Sequence, residues 1–257
     1  MTKKVLVTSR TFGKTDPVPV QMLHEAGCEV VPNPYGRVLS EKEITELIQD
    51  VDGVILGLDP MNARVLSKAR RLKAISRYGV GYNNVDIEYA TRRGILVTNT
   101  PGVNSLAVAE HTLGLLFAVC RNICVSDRGI RQGTWKQYPG LQVSGKVIGL
   151  VGTGQIGRHV AELARGLRMQ VLCYDIYPDE DWAKSIGAVY VPFSDLITKS
   201  DFISLHIPRN EHTYHMISEE EIAQMKSSAV IINTSRGGVL DEDALVKALK
   251  NGQLRGA

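Results

Sequence analysis

Three features that the sequence lacks narrow the classes of protein it can encode. No stretch approaches the roughly 20 consecutive apolar residues of a membrane span, and the opening Met1-Thr2-Lys3-Lys4 does not have the pattern of a signal peptide. The 257 residues carry 30 Lys and Arg against 27 Asp and Glu, with no basic run interleaved with aromatic residues. We therefore expect neither a membrane segment nor nucleic acid as a partner.

Cysteine is also scarce. The four cysteines, Cys28, Cys120, Cys124 and Cys173, lack C-x-x-C spacing and fall in apolar surroundings. This pattern predicts reduced, buried thiols in a reducing compartment, so we expect the protein to be cytoplasmic. The same pattern argues against a metal site, and none is predicted.

Glycine is plentiful, and the most informative glycines lie in one segment. The apolar run Val147–Val151 is followed by Gly152-Thr153-Gly154-Gln155-Ile156-Gly157 and then by apolar residues at helical spacing. This order predicts a strand, a glycine-rich turn and a helix. A second apolar run ends at Asp175, which completes a βαβ unit with a carboxylate at the tip of its second strand.

Each glycine of this turn has a predicted role in a dinucleotide site. Gly152 makes the tight turn, Gly154 lets a pyrophosphate approach the backbone, and Gly157 lets the helix pack closely on the strand. The helix N-terminus offers unpaired N–H groups and a partial positive charge to the phosphates. The alternative, a glycine turn in an ordinary α/β domain, leaves the acidic residue at the second strand without a role.

Asp175 indicates which dinucleotide is bound. Its carboxylate can accept hydrogen bonds from the adenosine ribose, and it would repel a 2′-phosphate. The sequence therefore predicts NAD rather than NADP. This prediction holds unless Arg158 or Arg165 lies close enough to that site to neutralise the repulsion.

Strand and helix patterns alternate along the whole chain, which predicts an α/β protein. The break at Asn99-Thr100-Pro101-Gly102 divides it, and we predict domains at residues 1–99 and 100–257 with the ligand in the cleft between them. A long apolar helix from Asn104 to about Cys120 follows the break. Within that helix, Glu110 and His111 are interpreted as a buried, hydrogen-bonded polar pair, and the alternative for His111 is a catalytic role.

The segment Arg77-Tyr78-Gly79-Val80-Gly81-Tyr82 follows a predicted strand and has two glycines two residues apart. Such a segment exposes backbone N–H groups, and a nest of them can hold a carboxylate. The alternative is a turn that needs glycine only for its positive φ.

A second candidate anion site follows the predicted strand Ala229–Ile232. Arg236 lies just after this strand and before two glycines, where its guanidinium is placed to fork onto a planar anion. The alternative is a surface arginine paired with Asp241 or Glu242. Ligands in open parallel sheets bind beyond the carboxyl ends of the strands, which favours the first interpretation.

Four motifs in the same order resemble the D-isomer-specific 2-hydroxyacid dehydrogenases, and within them the D-3-phosphoglycerate dehydrogenase-like branch. They lie at residues 77–86, 99–110, 152–157 and 231–238, and the resemblance covers essentially the whole chain. It implies two doubly wound parallel-sheet domains, a flavodoxin-like substrate domain and a Rossmann NAD-binding domain. It also implies a homodimer formed through the long helix that begins near Asn104.

The resemblance assigns roles to individual residues. It implies that the N–H groups of Gly79, Val80 and Gly81 meet the substrate carboxylate and that Arg236 holds the 2-oxo acid in catalysis. The residues implied to form the NAD site are Gly152, Gly154, Gln155, Ile156, Gly157, Asp175, His206, Ile207, Pro208, Thr234, Ser235 and Arg236.

The reaction implied by the resemblance is NAD-dependent hydride transfer at C2 of a small D-2-hydroxy or 2-oxo acid. Substrates of the phosphoglycerate, glycerate or hydroxypyruvate, and glyoxylate types are all compatible with the motifs. Two alternatives stay open at this point. One is an NAD-sensing binding module of the same fold without enzymatic activity, and the other is a dehydrogenase of another small oxyanion, such as phosphite or formate.

The acid/base glutamate and histidine of the resembled family lie beyond the last predicted helix, Asp241–Leu249, and no candidate pair follows it in this sequence. A doubly wound domain that has just completed a helix should return into another strand, so Gln253–Ala257 is predicted to begin one. We therefore expect the sequence to be truncated by roughly 50 to 70 residues.

Overall fold

A computed structural model describes residues 2–257 and divides the chain into two compact units. The first unit ends at Asn104 and the second is Ser105–Ala257, so the division falls a few residues after the predicted boundary. Hydrogen bonds hold the intervening turn to the first unit. The amide of Thr100 donates to the carbonyl of Gly79 at 3.1 Å, and the Asn99 side chain donates to the carbonyl of Val80 at 2.8 Å.

The first unit contains a five-stranded parallel sheet with the strand order β2-β1-β3-β4-β5. This is the doubly wound order of flavodoxin-like domains, as predicted. The strands are β1 (Lys3–Val7), β2 (Cys28–Pro32), β3 (Gly53–Leu56), β4 (Ala74–Arg77) and β5 (Leu96–Thr98). The helices are α1 (Val18–Glu25), α2 (Glu41–Leu47), α3 (Ala63–Lys68) and α4 (Ile87–Arg92).

Side-chain caps account for where α2, α3 and α4 begin. Ser40 and Glu43 form a reciprocal capping box at the start of α2, which satisfies amides that have no partner within the helix. The side chains of Asn62 and Asp86 each accept one hydrogen bond from an amide in the first turn of α3 and α4. The apolar residues of β3 and β4 then pack with these helices in one buried core, which fixes the position of the loop that follows β4.

The second unit contains a parallel sheet with the order β10-β9-β6-β7-β8. Numbered within the unit and read from the β8 edge, this is the Rossmann order 3-2-1-4-5. The strands are β6 (Val147–Val151), β7 (Gln170–Tyr174), β8 (Val189–Tyr190), β9 (Phe202–Leu205) and β10 (Val230–Asn233). The helices are α5 (Ser105–Cys120), α6 (Ile123–Arg131), α7 (Gln155–Gly166), α8 (Glu180–Ile186), α9 (Phe193–Lys199), α10 (Glu219–Gln224) and α11 (Glu242–Lys250).

After α11 the chain returns to the edge of this sheet, as predicted. Gly256 forms a parallel bridge with Val230, and its carbonyl accepts from the amide of Ile231 at 3.2 Å. The amide of Arg255 donates to the carbonyl of Ala229 at 3.0 Å. These residues therefore pair beside β10 in the direction of the other strands.

The interpretation of Glu110 and His111 as a buried pair is wrong, because both side chains are exposed. The buried face of α5 carries Ala109, Thr112 and Leu116, and this face packs against α7 and the core of the second unit. At 3.6 residues per turn, Glu110 and His111 point away from that face.

Helix α6 was not predicted. Asn122 adopts a left-handed conformation with φ 55° and separates α6 from α5, so the two do not form one continuous helix. None of the residues of α6 is buried, and the apolar side chains of Ile123, Val125 and Ile130 are exposed. Its apolar residues therefore face outward in this unit.

A helix that could cross a membrane alone, judged by length and apolarity, is not found among residues 2–257. Helices α5 and α6 meet that criterion only when taken together, and they are bent by 65° at their junction. Within the second unit, Leu113, Leu116 and Cys120 of α5 belong to the buried core.

The cysteines are free thiols, and only two of them are buried. Cys120 and Cys173 lie in the core of the second unit, where burial raises the pKa of both thiols, for Cys173 to about 12. Cys28 is half-buried and Cys124 is exposed. The prediction that all four thiols are buried is therefore wrong for these two, because apolar neighbours in sequence do not determine which helix face points inward.

Candidate active site

The glycine turn after β6 contains two glycines that packing requires and one that faces open space. Gly152 has φ 97°, and a Cβ there would lie 2.7 Å from the carbonyl oxygen of His206. A Cβ on Gly157 would lie 2.1 Å from the carbonyl oxygen of Gly152. No heavy atom lies within 4 Å of a Cβ built on Gly154. The turn thus leaves room for a ligand to approach the backbone at Gly154.

The start of α7 is suited to hold the phosphates of a dinucleotide. Gly154 is its N-cap residue and supplies no side chain to satisfy the first amides of this 12-residue helix. The Gln155 side chain accepts a hydrogen bond from Ser105 on α5 at 3.2 Å, which ties the helix start to its neighbour. Free amides, a helix dipole and open space together form an anion site that fits a pyrophosphate.

Asp175 lies at the tip of β7 with its carboxylate held in one orientation. Oδ2 accepts hydrogen bonds from the amide of Thr153 at 2.7 Å and from its hydroxyl at 3.0 Å. Oδ1 accepts from the amide of Tyr177 at 3.0 Å. A carboxylate has about four acceptor sites, so one on Oδ1 remains for a ligand hydroxyl. This is the geometry expected of a ribose-binding acid.

Of the two arginines that could alter the cofactor preference, Arg158 lies nearer the turn. Its Nε donates to the carbonyl of Thr153 at 3.1 Å, and its Nη2 pairs with Asp179 at 2.8 Å. The guanidinium also stacks on Trp182, 4.8 Å from the ring centroid. Arg165 instead donates to the carbonyl of Met169 at 3.2 Å. The guanidinium of Arg158 is thus already paired with the Asp179 carboxylate and stacked on the Trp182 ring.

His206 follows β9 and packs beside the glycine turn. Its Nε2 forms a 2.9 Å hydrogen bond with the Ser204 hydroxyl, and burial lowers the pKa of the imidazole to about 4. Its Nδ1 is buried and has no hydrogen-bond partner among residues 2–257. A buried polar atom without a partner is costly, and a ligand would supply one. The side chain of the next residue, Ile207, also packs against the turn, since a Cβ on Gly152 would lie 2.8 Å from its Cγ2.

Thr234 and Ser235 follow β10, and both hydroxyls are directed by hydrogen bonds. Thr112 donates its one hydroxyl proton to the carbonyl of Val108, so in the 2.9 Å contact with Thr234 it must be the acceptor. The Ser235 hydroxyl donates to Asn233 at 2.7 Å. The hydroxyl protons of Thr234 and Ser235 are therefore both used in hydrogen bonds within the protein. The two hydroxyl oxygens remain as acceptors for a ligand.

Arg236 has an exposed side chain at the end of the same segment. Its Nη1 donates to the carbonyl of Ser235 at 2.8 Å, and its own carbonyl accepts from the Asn233 side chain at 3.0 Å. Asp241, one of the two residues considered as its surface partner, caps α11, and its Oδ2 lies 3.3 Å from Nδ1 of His215. The backbone around Arg236 is thus stabilised by a side chain of the preceding strand.

The glycine loop of the first unit differs in detail from the predicted nest. Gly79 has φ 141°, and its amide donates to the carbonyl of Arg77 at 2.9 Å. That amide is therefore not available to a substrate. The amides of Val80 and Gly81 donate to no acceptor in the described part of the chain, so both N–H groups are available to a ligand.

Within the second unit, the fold brings the predicted cofactor residues together at the carboxyl ends of the strands. The glycine turn, His206–Pro208 and Thr234–Arg236 follow β6, β9 and β10, which are neighbours, and Asp175 follows β7 beside β6. Sequence reasoning missed Thr112, Thr153 and Tyr190. The position of Thr153 inside the glycine motif was the one available signal, because the other two reach the site only through tertiary packing.

Comparison with known proteins identifies the family. Residues 113–257, more than half of the chain, match the family described as "D-isomer specific 2-hydroxyacid dehydrogenase, NAD binding domain". The chain belongs to this family. It is a 2-hydroxyacid oxidoreductase, and its cofactor is NAD.

Two curated relatives of this dehydrogenase extend the match to the first unit. It is 45% identical over 225 residues to a glyoxylate reductase of Korarchaeum cryptofilum, covering 85% of this chain and 68% of that protein. It is 39% identical over 251 residues to a D-3-phosphoglycerate dehydrogenase of Methanocaldococcus jannaschii, covering 95% of this chain and 47% of the relative. The chain thus spans about two thirds of the first relative and less than half of the second.

A solved structure supports the fold of this dehydrogenase. D-lactate dehydrogenase from Aquifex aeolicus, complexed with NAD and lactic acid, aligns with a TM-score of 0.82 and 31% identity. The alignment covers 98% of this chain and 75% of the other. The predicted pair of doubly wound α/β domains is therefore confirmed.

Proposed function

We propose that this dehydrogenase reduces small 2-oxo acids of the glyoxylate and hydroxypyruvate size with NADH. The observation that carries the proposal is the position of Arg236, at the carboxyl end of β10 on the sheet edge that also bears the glycine turn and Asp175. An arginine there meets an anion at the cofactor site. The relative at 45% identity, which is named a glyoxylate reductase, supports a small substrate.

Arg236 acts on both the carboxylate and the reacting carbonyl of the substrate. A planar guanidinium binds a carboxylate with two parallel hydrogen bonds, which fixes the orientation of the acid. A positive group beside the 2-oxo oxygen also stabilises the negative charge that develops there during reduction. Arg236 is thus a catalytic residue as well as a binding residue.

The glycine loop of the first unit binds the substrate carboxylate through backbone amides. Gly79 supplies the backbone conformation at φ 141°, where a side chain would also approach Arg77 to 2.8 Å. Val80 and Gly81 supply the N–H groups. A site made of amides recognises the carboxylate and leaves the rest of the substrate to other residues.

NAD, when bound, supplies the hydride chemistry of the reaction. The start of α7, with Gln155 and Ile156, binds its pyrophosphate, and Asp175 binds its ribose. His206 offers its buried Nδ1, and Ile207 and Pro208 line the site beside it. Thr234, Ser235 and Arg236 line the site from β10.

A substrate panel tests this proposal. The full-length gene product is assayed with NADH against glyoxylate, hydroxypyruvate and 3-phosphohydroxypyruvate, and with NAD against phosphite and formate. We expect turnover of glyoxylate and hydroxypyruvate. NADH binding without turnover of any substrate would indicate a non-enzymatic NAD sensor, and oxidation of phosphite or formate alone would assign the protein to a different reaction.

We also propose that the protein is a cytoplasmic homodimer. Much of the apolar surface of α5 lies in the core of its own unit. The exposed apolar residues that we assign to the dimer interface therefore lie on α6 and at Trp135, four residues after the end of α6. Ile123 and Ile130 are 50% and 55% exposed, and Trp135 is 90% exposed. An exposed apolar surface of this kind marks a protein contact.

Light scattering of the full-length protein at micromolar concentration tests the dimer. We expect a dimer for the wild type and a monomer for Ile123→Asp/Ile130→Asp. Val246→Asp is the matched control, because Val246 is also exposed but lies on α11. A monomeric wild type, or an equal effect of the control, would contradict the proposal.

A further inference from the structure

A chain of three side chains leads from the edge strand β8 to the acid at the tip of β7. The Tyr190 hydroxyl lies 2.7 Å from the Thr153 hydroxyl, which in turn lies 3.0 Å from Oδ2 of Asp175. Thr153 is 4% exposed and Tyr190 is half-buried, so solvent competes little for these bonds. Of these three residues, only Asp175 takes part in the proposed function.

The number of protons that each hydroxyl can donate determines which group is the donor in each of these hydrogen bonds. An ionised carboxylate only accepts hydrogen bonds, so Thr153 donates its single hydroxyl proton to Asp175. The Thr153 oxygen must then accept in its contact with Tyr190, which makes Tyr190 the donor. Tyr190 therefore holds the Thr153 hydroxyl in the rotamer that points its proton at Oδ2.

We propose that Tyr190, acting through Thr153, is a positioning residue that sets the preference of this enzyme for NADH over NADPH. This rests on the proposed role of Asp175 as the ribose acceptor. With both donors of Thr153 on Oδ2, the carboxylate is held so that Oδ1 accepts from the ribose. Held in the same place, the charge repels a 2′-phosphate most strongly.

Loss of the Tyr190 hydroxyl changes the affinities for NADH and NADPH unequally. Thr153 becomes free to turn its proton away, and Asp175 loses one of the bonds that orient it. NADH then loses part of its ribose contact, while NADPH gains because the carboxylate can rotate away from the phosphate. A residue that only stabilised the fold would weaken both cofactors alike.

Fluorescence titration with NADH and with NADPH tests the proposal in Tyr190→Phe, which keeps the ring and removes the donor. We expect the ratio of the NADPH to the NADH dissociation constant to fall by about 3–10-fold, the effect of one hydrogen bond. Tyr177→Phe is the control, since Tyr177 is 82% exposed and its hydrogen bond to Asp175 comes from the backbone amide. This variant should keep the wild-type ratio.

A double mutant tests the connection through Thr153. Thr153→Val keeps the shape and the backbone amide but removes the hydroxyl, and it should lower the ratio as Tyr190→Phe does. If the two residues act in series, Thr153→Val/Tyr190→Phe should lower the ratio no further than Thr153→Val alone. Additive effects of the two substitutions would overturn the proposal.

The Asp175→Ala variant separates failure of this inference from failure of the proposed ribose contact. If Asp175→Ala removes the preference and Tyr190→Phe, still folded by its thermal midpoint, leaves it unchanged, the Tyr190 inference is wrong and the ribose contact stands. If Asp175→Ala also leaves the preference unchanged, Asp175 is not the ribose acceptor and both are wrong.

Discussion

Gly157 lies directly against Gly152 in the second unit, and a Cβ on Gly157 would be 2.1 Å from the Gly152 carbonyl oxygen. The two groups in contact both belong to the backbone, and they cannot move aside as the end of a flexible side chain can. The first turn of α7 therefore packs on the strand end only if position 157 has no side chain. Gly154, three residues earlier, has nothing within 4 Å of its Cβ position.

Gly157→Ala and Gly154→Ala should consequently fail in different ways. We expect Gly157→Ala to lower the free energy of unfolding by about 1–3 kcal/mol, because the added methyl group overpacks the turn. Gly154→Ala should keep its thermal midpoint and lose NADH affinity by about tenfold or more, since its methyl group enters the space for the phosphates. Thermal unfolding and NADH titration measure both effects.

Gly166→Ala is the control for these variants. Gly166 lies at the end of α7 with nothing within 4 Å of its Cβ position, and alanine is the better helix former. Its stability should be unchanged or higher and its NADH affinity unchanged. Tight NADH binding by Gly154→Ala would show that the open space is not the phosphate site.

Asp175→Ala should weaken NADH binding by about 1–3 kcal/mol, the usual loss for hydrogen bonds to a charged group. NADPH binding should improve or stay the same, because the repulsion of its 2′-phosphate is removed. Titration with each cofactor measures the two affinities. An equal loss for both cofactors would show that the carboxylate supports the turn and does not select the cofactor.

Arg236→Lys keeps the charge but loses the planar fork of the guanidinium. We expect turnover of glyoxylate by the full-length enzyme to fall together with substrate affinity, because carbonyl polarisation depends on the position of the charge. Steady-state kinetics separate kcat from KM. A change in KM alone would make Arg236 a binding residue without a part in the chemical step.

Burial of His206 should make stability depend on pH in a defined window. Its native pKa of about 4 lies below the ordinary 6.5, so the unfolded chain takes up the proton first as the pH falls. The neutral imidazole therefore contributes stability that is fully present above pH 6.5 and is lost as the pH falls towards 4. The thermal midpoint of the wild type should decline across this window.

His206→Gln should show a smaller decline across the same window, each variant being compared with its own midpoint near neutral pH. His24→Gln is the control, since His24 is exposed in the first unit. Its pH profile should follow that of the wild type. Parallel profiles for all three proteins would mean that His206 takes up its proton over the same pH range in the native and the unfolded state.

The sequence by itself determined the elements whose cause is local. The capping box at Ser40 begins α2, the glycine turn at 152–157 joins β6 to α7, and Gly252, with φ 68°, follows α11. These features depend on the backbone conformations that a few adjacent residues allow, so a short pattern is sufficient to predict them. The grouping of the cofactor residues followed from a general rule about the carboxyl ends of parallel strands.

Only the tertiary structure decided which sides of these elements meet. The exposure of His111, the separate helix α6 and the bond between Tyr190 and Thr153 all depend on how a helix or strand is rotated against its neighbours. Tyr190 is far from Thr153 in the chain, and β8 brings it there by pairing with β7 beside β6. A pattern read along the chain contains no such pairing, because the energy that selects it comes from packing between distant residues.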